Sequence, residues 1–262
     1  GVQTCALPIW AAYSGDWNPI HFKQETALAA GLSEPMAHGM LAMASLKQSG
    51  TDFLLSAGVP SSWVHFDFRL RKPIPLEKDL EFGWIDGKAG AHHGEMRMKS
   101  DGSPLIYGSI RQLDEDCAHQ LPVVCDNAQN YRLDDLTFNR DRQDPFPIDS
   151  TAWIELEALA FSQMMDRYIP KGRIGENTPV VNRFVPHGRG VPVLMHTRHS
   201  VFVSPEILAL PPRADWAEMT QAYCFEKIRD GDSFTDLSMR FQLQTREKTV
   251  MVANLGLILR MV

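Results

Sequence analysis

The chain lacks several things, and each absence removes a class of function. It has no run of 18 apolar residues, so no segment reads as a membrane-spanning helix. It has no basic block: 26 Lys and Arg stand against 32 Asp and Glu, a net charge of -6, which argues against nucleic acid as a partner. Local basic patches beside an acidic ligand stay open. Cysteine is scarce, with four in 262 residues. Cys5, Cys117, Cys125 and Cys224 show no CxxC spacing, so the sequence indicates neither a zinc site nor a disulfide scaffold. No metal ligand set is expected, and a reducing cytoplasm is the default compartment. What is present is ordinary for a globular protein: 44% hydrophobic residues, in a length that suits one large domain or two of usual size.

The opening GVQTCALPI resembles the translation of a common sequencing adapter. Residues 1–9 are therefore set aside from the fold argument, as a tag would be. On this reading the start of the parent protein, with its opening strands and any targeting signal, is missing, and no helix or strand is expected ahead of Tyr13.

Beyond that point the pattern runs twice. NPIHFKQETALAAGL reads as a short helix, with Asn18 as N-cap, Pro19 at its first position and Gly31 at its stop. HGMLAMASLKQSGTDFLLSAG reads as a long buried helix. WVHFDFRLR then alternates, with Val64, Phe66, Phe68 and Leu70 on one face, as in a half-buried antiparallel strand. Further strands are predicted at DLEFGWID, GEMRMKS and LIYGSIRQL, with turns at Asp86-Gly87 and Asp101-Gly102. Residues 121–149, rich in Asp, Asn, Gln and Pro, read as a connection, with a leading strand near YRLDDLTF. STAWIELEALAFSQMMDRYIP is a second long helix, and three long strand patterns follow it. The expectation is an α+β protein of two like units, residues 10–120 and 150–262, each a long helix wrapped by a curved antiparallel sheet.

YSGDWNPIH, followed by HisGlyMet at 38–40, resembles the hydratase motif of the MaoC-like dehydratases, the R-specific enoyl thioester hydratases. The resemblance runs from about Tyr13 to Leu113. It implies the hot-dog fold, here as a tandem, and reversible hydration of a 2-enoyl thioester carried by coenzyme A or a carrier-protein phosphopantetheine. No separate cofactor is implied. Asp16 is then the base that takes a proton from water, and His21 orients that water. Asn18 caps the turn, and His38 supports the site. The backbone N–H of Gly39, at a helix start, meets the thioester oxygen as charge develops. Some family members use a serine on the long helix, for which Ser45 and Ser49 are candidates.

Other residues are ordinary unless context promotes them. Arg69, Arg71 and Lys72 are candidates for the phosphates of coenzyme A or phosphopantetheine, against a plain solvated strand face. His92-His93 reads as exposed. His196 and His199 have HxxH spacing, but on a regular strand they face opposite ways, so no metal is expected there. PHGRG at 186–190 opens no apolar helix. Glu155, Glu157 and Asp166 read as structural acids on the second helix. An acid there would be needed for the alternative of an acyl thioesterase. A non-catalytic thioester-binding subunit is the third reading. The second unit is expected to pair with the first within the chain, and a homodimer is an option.

Overall fold

The structure, a computed structural model, describes residues 6–90, 93–114, 121, 129–132, 150–170, 174–185, 190–210 and 219–262. A helix, α1 (Ala6–Ser14), precedes the motif, contrary to the expectation that nothing regular does. Its Leu7 and Trp10 are buried in the main core. Residues 6–9, set aside on sequence grounds, therefore take part in the fold. The predicted short helix is divided. A 3-10 turn (Pro19–His21) comes first and α2 (Gln24–Ala29) follows, ending before Gly31 at φ +83°. The long helix α3 (Gly39–Ser56) is as predicted, with His38 at its N-cap position.

The strands β1 (Val64–Leu70), β2 (Glu81–Gly90), β3 (His93–Ser100) and β4 (Ser103–Gln112) follow. The predicted turn at Asp86-Gly87 is not one: β2 runs through it, with a register irregularity between Trp84 and Ala89. Residues 85–88 have no β3 partner in that register, so the Asp-Gly pair sits in a bulge of β2 rather than at a reversal of the chain. The turn at Asp101-Gly102 is present, both residues at positive φ. Of the connection, β5 (Gln129–Arg132) and Leu121 are described. The second half has α4 (Ala152–Tyr168), the short α5 (Pro179–Phe184) and α6 (Pro205–Leu208), and the strands β6 (Pro192–Val203), β7 (Thr220–Asp230), β8 (Thr235–Gln244) and β9 (Thr249–Met261). Cys224 on β7 is disulfide-bonded, which the cysteine spacing does not reveal.

Among the described residues, nine strands form one antiparallel sheet in the order β2-β3-β4-β1-β6-β9-β8-β7-β5. Apart from β5 at one edge, the order is symmetric about the β1–β6 seam. Outward on one side run β1, β4, β3, β2, and on the other β6, β9, β8, β7. In each half the strand after the long helix pairs with the last strand of that half. At the seam Val64 lies opposite Val203 and Arg69 opposite Arg198.

The long helices cover the inner face and run antiparallel to each other. Lys47 meets Glu157, while Trp153 Nε1 donates to Thr51 Oγ1 over 3.1 Å. Small residues let the layers close: a Cβ on Gly50 would lie 3.0 Å from Phe66. The fully buried Phe66, Phe68, Phe225 and Phe241 fill the space between helices and sheet. Among the described residues no helix is long and apolar enough to cross a membrane.

Candidate active site

The motif is a chain of short local hydrogen bonds that turns one side chain back toward another. Gly15, at φ +72°, ends α1 in a conformation that L side chains rarely adopt. The Asp16 amide then donates to Ser14 Oγ (3.2 Å), and Asp16 Oδ1 accepts from the Asn18 amide (3.2 Å). Asn18 Oδ1 accepts from the Ile20 amide (3.4 Å), and its Nδ2 donates to the Leu194 carbonyl (2.6 Å). Asn18 therefore caps the turn and also ties the motif to the second half. Pro19 starts the 3-10 turn, which folds His21 back. His21 Nδ1 donates to the Met36 carbonyl at 2.8 Å. This fixes the tautomer and leaves the Nε2 lone pair 3.8 Å from Asp16 Oδ2.

That separation is too long for a direct hydrogen bond. It leaves one oxygen able to sit beside the pair within reach of both. Burial is the main influence on both groups: it raises the Asp16 pKa, partly offset by His21, and lowers that of His21, partly offset by Asp16. The two affinities for a proton are drawn together, as suits a pair that passes one back and forth. His38 is buried and donates Nε2–H to the Asp16 carbonyl at 2.9 Å. Its ring lies on that of His21, centroids 3.8 Å apart. It supports the site from behind rather than facing the cavity.

Asp16, Asn18, His21 and Gly39 open on one cavity of about 40 Å³, with room for a small number of water molecules. The rest of the wall is apolar except for His196, and both halves supply it. Met40 and Leu70 come from the first half, Phe161, Met165 and Leu257 from the second. Methionines here are unbranched and adaptable, so the wall can yield to a chain. Gly39 begins α3, where the first N–H groups have no intrahelical acceptor and the helix dipole favours negative charge. A Cβ on Gly39 would lie 2.7 Å from Leu70 Cδ2 and 3.3 Å from His196 Nδ1. Gly39→Ala is therefore expected to displace the cavity wall and lower kcat/KM by about 10–100-fold while the chain stays folded, checked by steady-state kinetics beside a thermal melt.

The structure thus brings together Asp16, Asn18, His21, His38 and Gly39. Ser45 is half-buried on α3 and does not line the cavity. Arg69 and Arg71 flank Leu70, so they point away from the cavity. They line a separate open groove with Asp67, Glu95 and Tyr107. Asp67 accepts from Arg198 Nε at 3.0 Å and lies 3.8 Å from Arg69 Nε. Lys72 donates to Ser103 Oγ at 2.6 Å, in a different depression. Asp16, His21 and His38 could offer ligand atoms within 4.8 Å of one another to a metal ion. The His38 nitrogen turned toward Asp16 already carries a proton donated to a carbonyl, so the hydrogen bonds suit acid–base work rather than ligation. His93 is exposed, as read; His92 and residues 186–189 lie outside the described residues.

Two features escape the sequence reading. The first is a buried cluster at the meeting of α3 and α4. Lys47 Nζ pairs with Glu157 Oε2, and His199 Nε2 donates to Glu157 Oε1 at 2.6 Å. All three side chains are at most 1% exposed. Burial alone would raise Glu157, but Lys47 and His199 outweigh it and hold its carboxyl at about 2. The signal was one charge on the apolar face of each long helix. The second is a correction. His196 and His199 do not face opposite ways, because β6 bulges at Thr197: His196 pairs with Leu257 and His199 with Leu255, both on the inner face. Their ring centroids are 5.3 Å apart.

Fold and site together define a hot-dog protein with a carboxylate–imidazole pair that shares a cavity with the start of its central helix. Residues 6–91 match the family model of the MaoC like domain. Over 75 residues the chain is 29% identical to the mitochondrial 3-hydroxyacyl-[acyl-carrier-protein] dehydratase of Arabidopsis thaliana, a match covering 28% of the chain and 42% of that relative. Among solved structures, a MaoC-like dehydratase superposes with a TM-score of 0.50 at 10% identity, covering 100% of this chain and 95% of that one. A protein with a hot dog fold from Alicyclobacillus acidocaldarius gives 0.46 at 8% identity, over 87% and 88%.

Proposed function

We propose that the chain catalyses the reversible addition of water to a 2-enoyl thioester, and in reverse the dehydration of a 3-hydroxyacyl thioester, carried by coenzyme A or phosphopantetheine. One observation carries this reading: Asp16 Oδ2 and His21 Nε2, 3.8 Å apart, open on the cavity that the start of α3 also reaches. Asp16 takes a proton from the water held between the two side chains, and the water oxygen bonds to C3. The C2–C3 π electrons move toward the thioester oxygen, where the Gly39 N–H and the helix dipole stabilise the enolate. The Asp16–His21 pair returns a proton to C2. Every proton and electron pair is accounted for without an added reagent.

The fold reading extends to a tandem of two hot-dog units in one chain. The second unit lacks the motif, and it supplies half of the cavity wall. Hydrolysis of the thioester would call for a base on α4. Glu157 is held there by Lys47 and His199 and does not line the cavity, so the lyase reading is preferred. Incubation with crotonyl-CoA tests it: enoyl absorbance should fall with no release of free thiol. Thiol release would favour the thioesterase, and binding with neither change would favour a non-catalytic subunit.

A further inference from the structure

The cavity has four polar side chains in its wall: Asp16, Asn18, His21 and His196. Three are accounted for. Asn18 spends its amide on the Leu194 carbonyl and the Ile20 amide, and Asp16 and His21 hold the water. His196 has no part in the proposed chemistry, yet the fold goes to some length to place it. It reaches the inner face because β6 bulges at the next residue, and bulges often re-aim a side chain at a site. Its Nε2 donates to the Arg198 carbonyl at 2.8 Å, which leaves Nδ1 as a lone pair. That Nδ1 lies 3.3 Å from where a Cβ on Gly39 would be. Behind it stands the His199 ring, itself fixed by Glu157.

We propose that His196, supplied by the second half of the chain, contacts the substrate, its Nδ1 accepting a hydrogen bond from an N–H or O–H group of the bound thioester close to the carbonyl. The inference rests on the hydratase reading, which sets the thioester oxygen against the Gly39 N–H. An acceptor beside that point would repel the oxygen itself, so it must face a donor on one side or other of the carbonyl. Two sources fit: the amide N–H of the pantetheine arm nearest the sulfur, and a hydroxyl on the acyl chain. The surrounding wall is apolar, so an acceptor left unmatched by the ligand would stay desolvated at a cost.

The experiment is calorimetric binding of saturated thioesters, which cannot be hydrated, to the full chain. The ligands are butyryl-CoA, its analogue with an ester in place of the amide nearest sulfur, and 4-hydroxybutyryl-CoA. His196→Phe fills the same space without an acceptor, and His196→Asn returns an oxygen near the Nδ1 position. His196→Leu replaces the first should it fail to fold. If the donor is the amide, His196→Phe weakens butyryl-CoA by about 5–10-fold, a net hydrogen bond. The ester analogue then binds both proteins alike, and His196→Asn binds butyryl-CoA within about twofold of the unaltered chain. If the donor is on the acyl chain, only 4-hydroxybutyryl-CoA shows the loss. Equal binding of all three ligands by His196→Phe and the unaltered chain overturns the proposal. Should the unaltered chain bind no acyl-CoA at all, the hydratase reading fails first and the proposal falls with it.

Discussion

Asp16→Asn should lower kcat for enoyl thioester hydration by about 10²–10⁴-fold, the usual worth of a positioned acid–base group. The change keeps the shape of the side chain and the oxygen that accepts from the Asn18 amide. It removes the basic oxygen turned toward His21. Substrate binding should hardly change, because the variant keeps the size of the side chain and leaves the rest of the cavity lining as it is. His21→Gln should behave alike, since it removes the other side of the water site. The pH profile follows from the same pair. Both groups act deprotonated, Asp16 as carboxylate and His21 as neutral imidazole. Burial raises the first above 3.8 and lowers the second below 6.5. The rate should therefore be level at neutral pH and fall on the acid side, as the pair takes up a proton. The Asn variant should lose the carboxylate part of that fall. Steady-state kinetics with crotonyl-CoA across pH 4 to 9 measures both.

The second large effect is on stability. Glu157→Gln leaves the Lys47 ammonium buried without its counter-charge, and Lys47→Met strips the carboxylate of its main partner. Breaking one side of a buried pair costs about 3–5 kcal/mol. Each single variant should show that loss in urea denaturation at neutral pH. Replacing both, Lys47→Met with Glu157→Leu, should recover much of it, because no charge is then left in the core. The pH dependence has a definite sign. The carboxyl of Glu157 lies at about 2 in the folded chain against 4.5 unfolded. Its contribution is thus complete above pH 4.5 and drains away as pH falls toward 2. A Glu157→Gln chain should lack this part of the acid sensitivity.

The geometry of the candidate site was more legible than its surroundings, for a physical reason. Asp16, Asn18, His21 and Gly39 are placed by local geometry: a cap, a proline turn and a helix start, all encoded within a few residues. The helices α3 and α4 and the alternation of β1 were equally local. What depends on partners far along the chain was not legible. Lys47 and Glu157 lie 110 positions apart, and each alone looks like a flaw in an apolar face. His196 and His199 were misassigned because the period of two assumes a regular strand, whereas β6 carries one extra residue against β9. The Asp86-Gly87 turn failed differently: the same local signal serves a bulge between Trp84 and Ala89, with β2 resuming its pairing beyond it. α1 was passed over because its first four residues were set aside on grounds unrelated to folding, and the rest is too short to read as a helix alone.

The most direct measurement follows heavy oxygen from solvent. Crotonyl-CoA is incubated in water enriched in oxygen-18 with the unaltered chain and with Asp16→Asn, and the products are weighed by mass spectrometry. Hydration through Asp16 yields 3-hydroxybutyryl-CoA, its thioester whole and one heavy oxygen on C3, formed by the first protein and nearly absent with the second. Heavy oxygen found in a free carboxylate beside released coenzyme A, or equal product from both proteins, would contradict it.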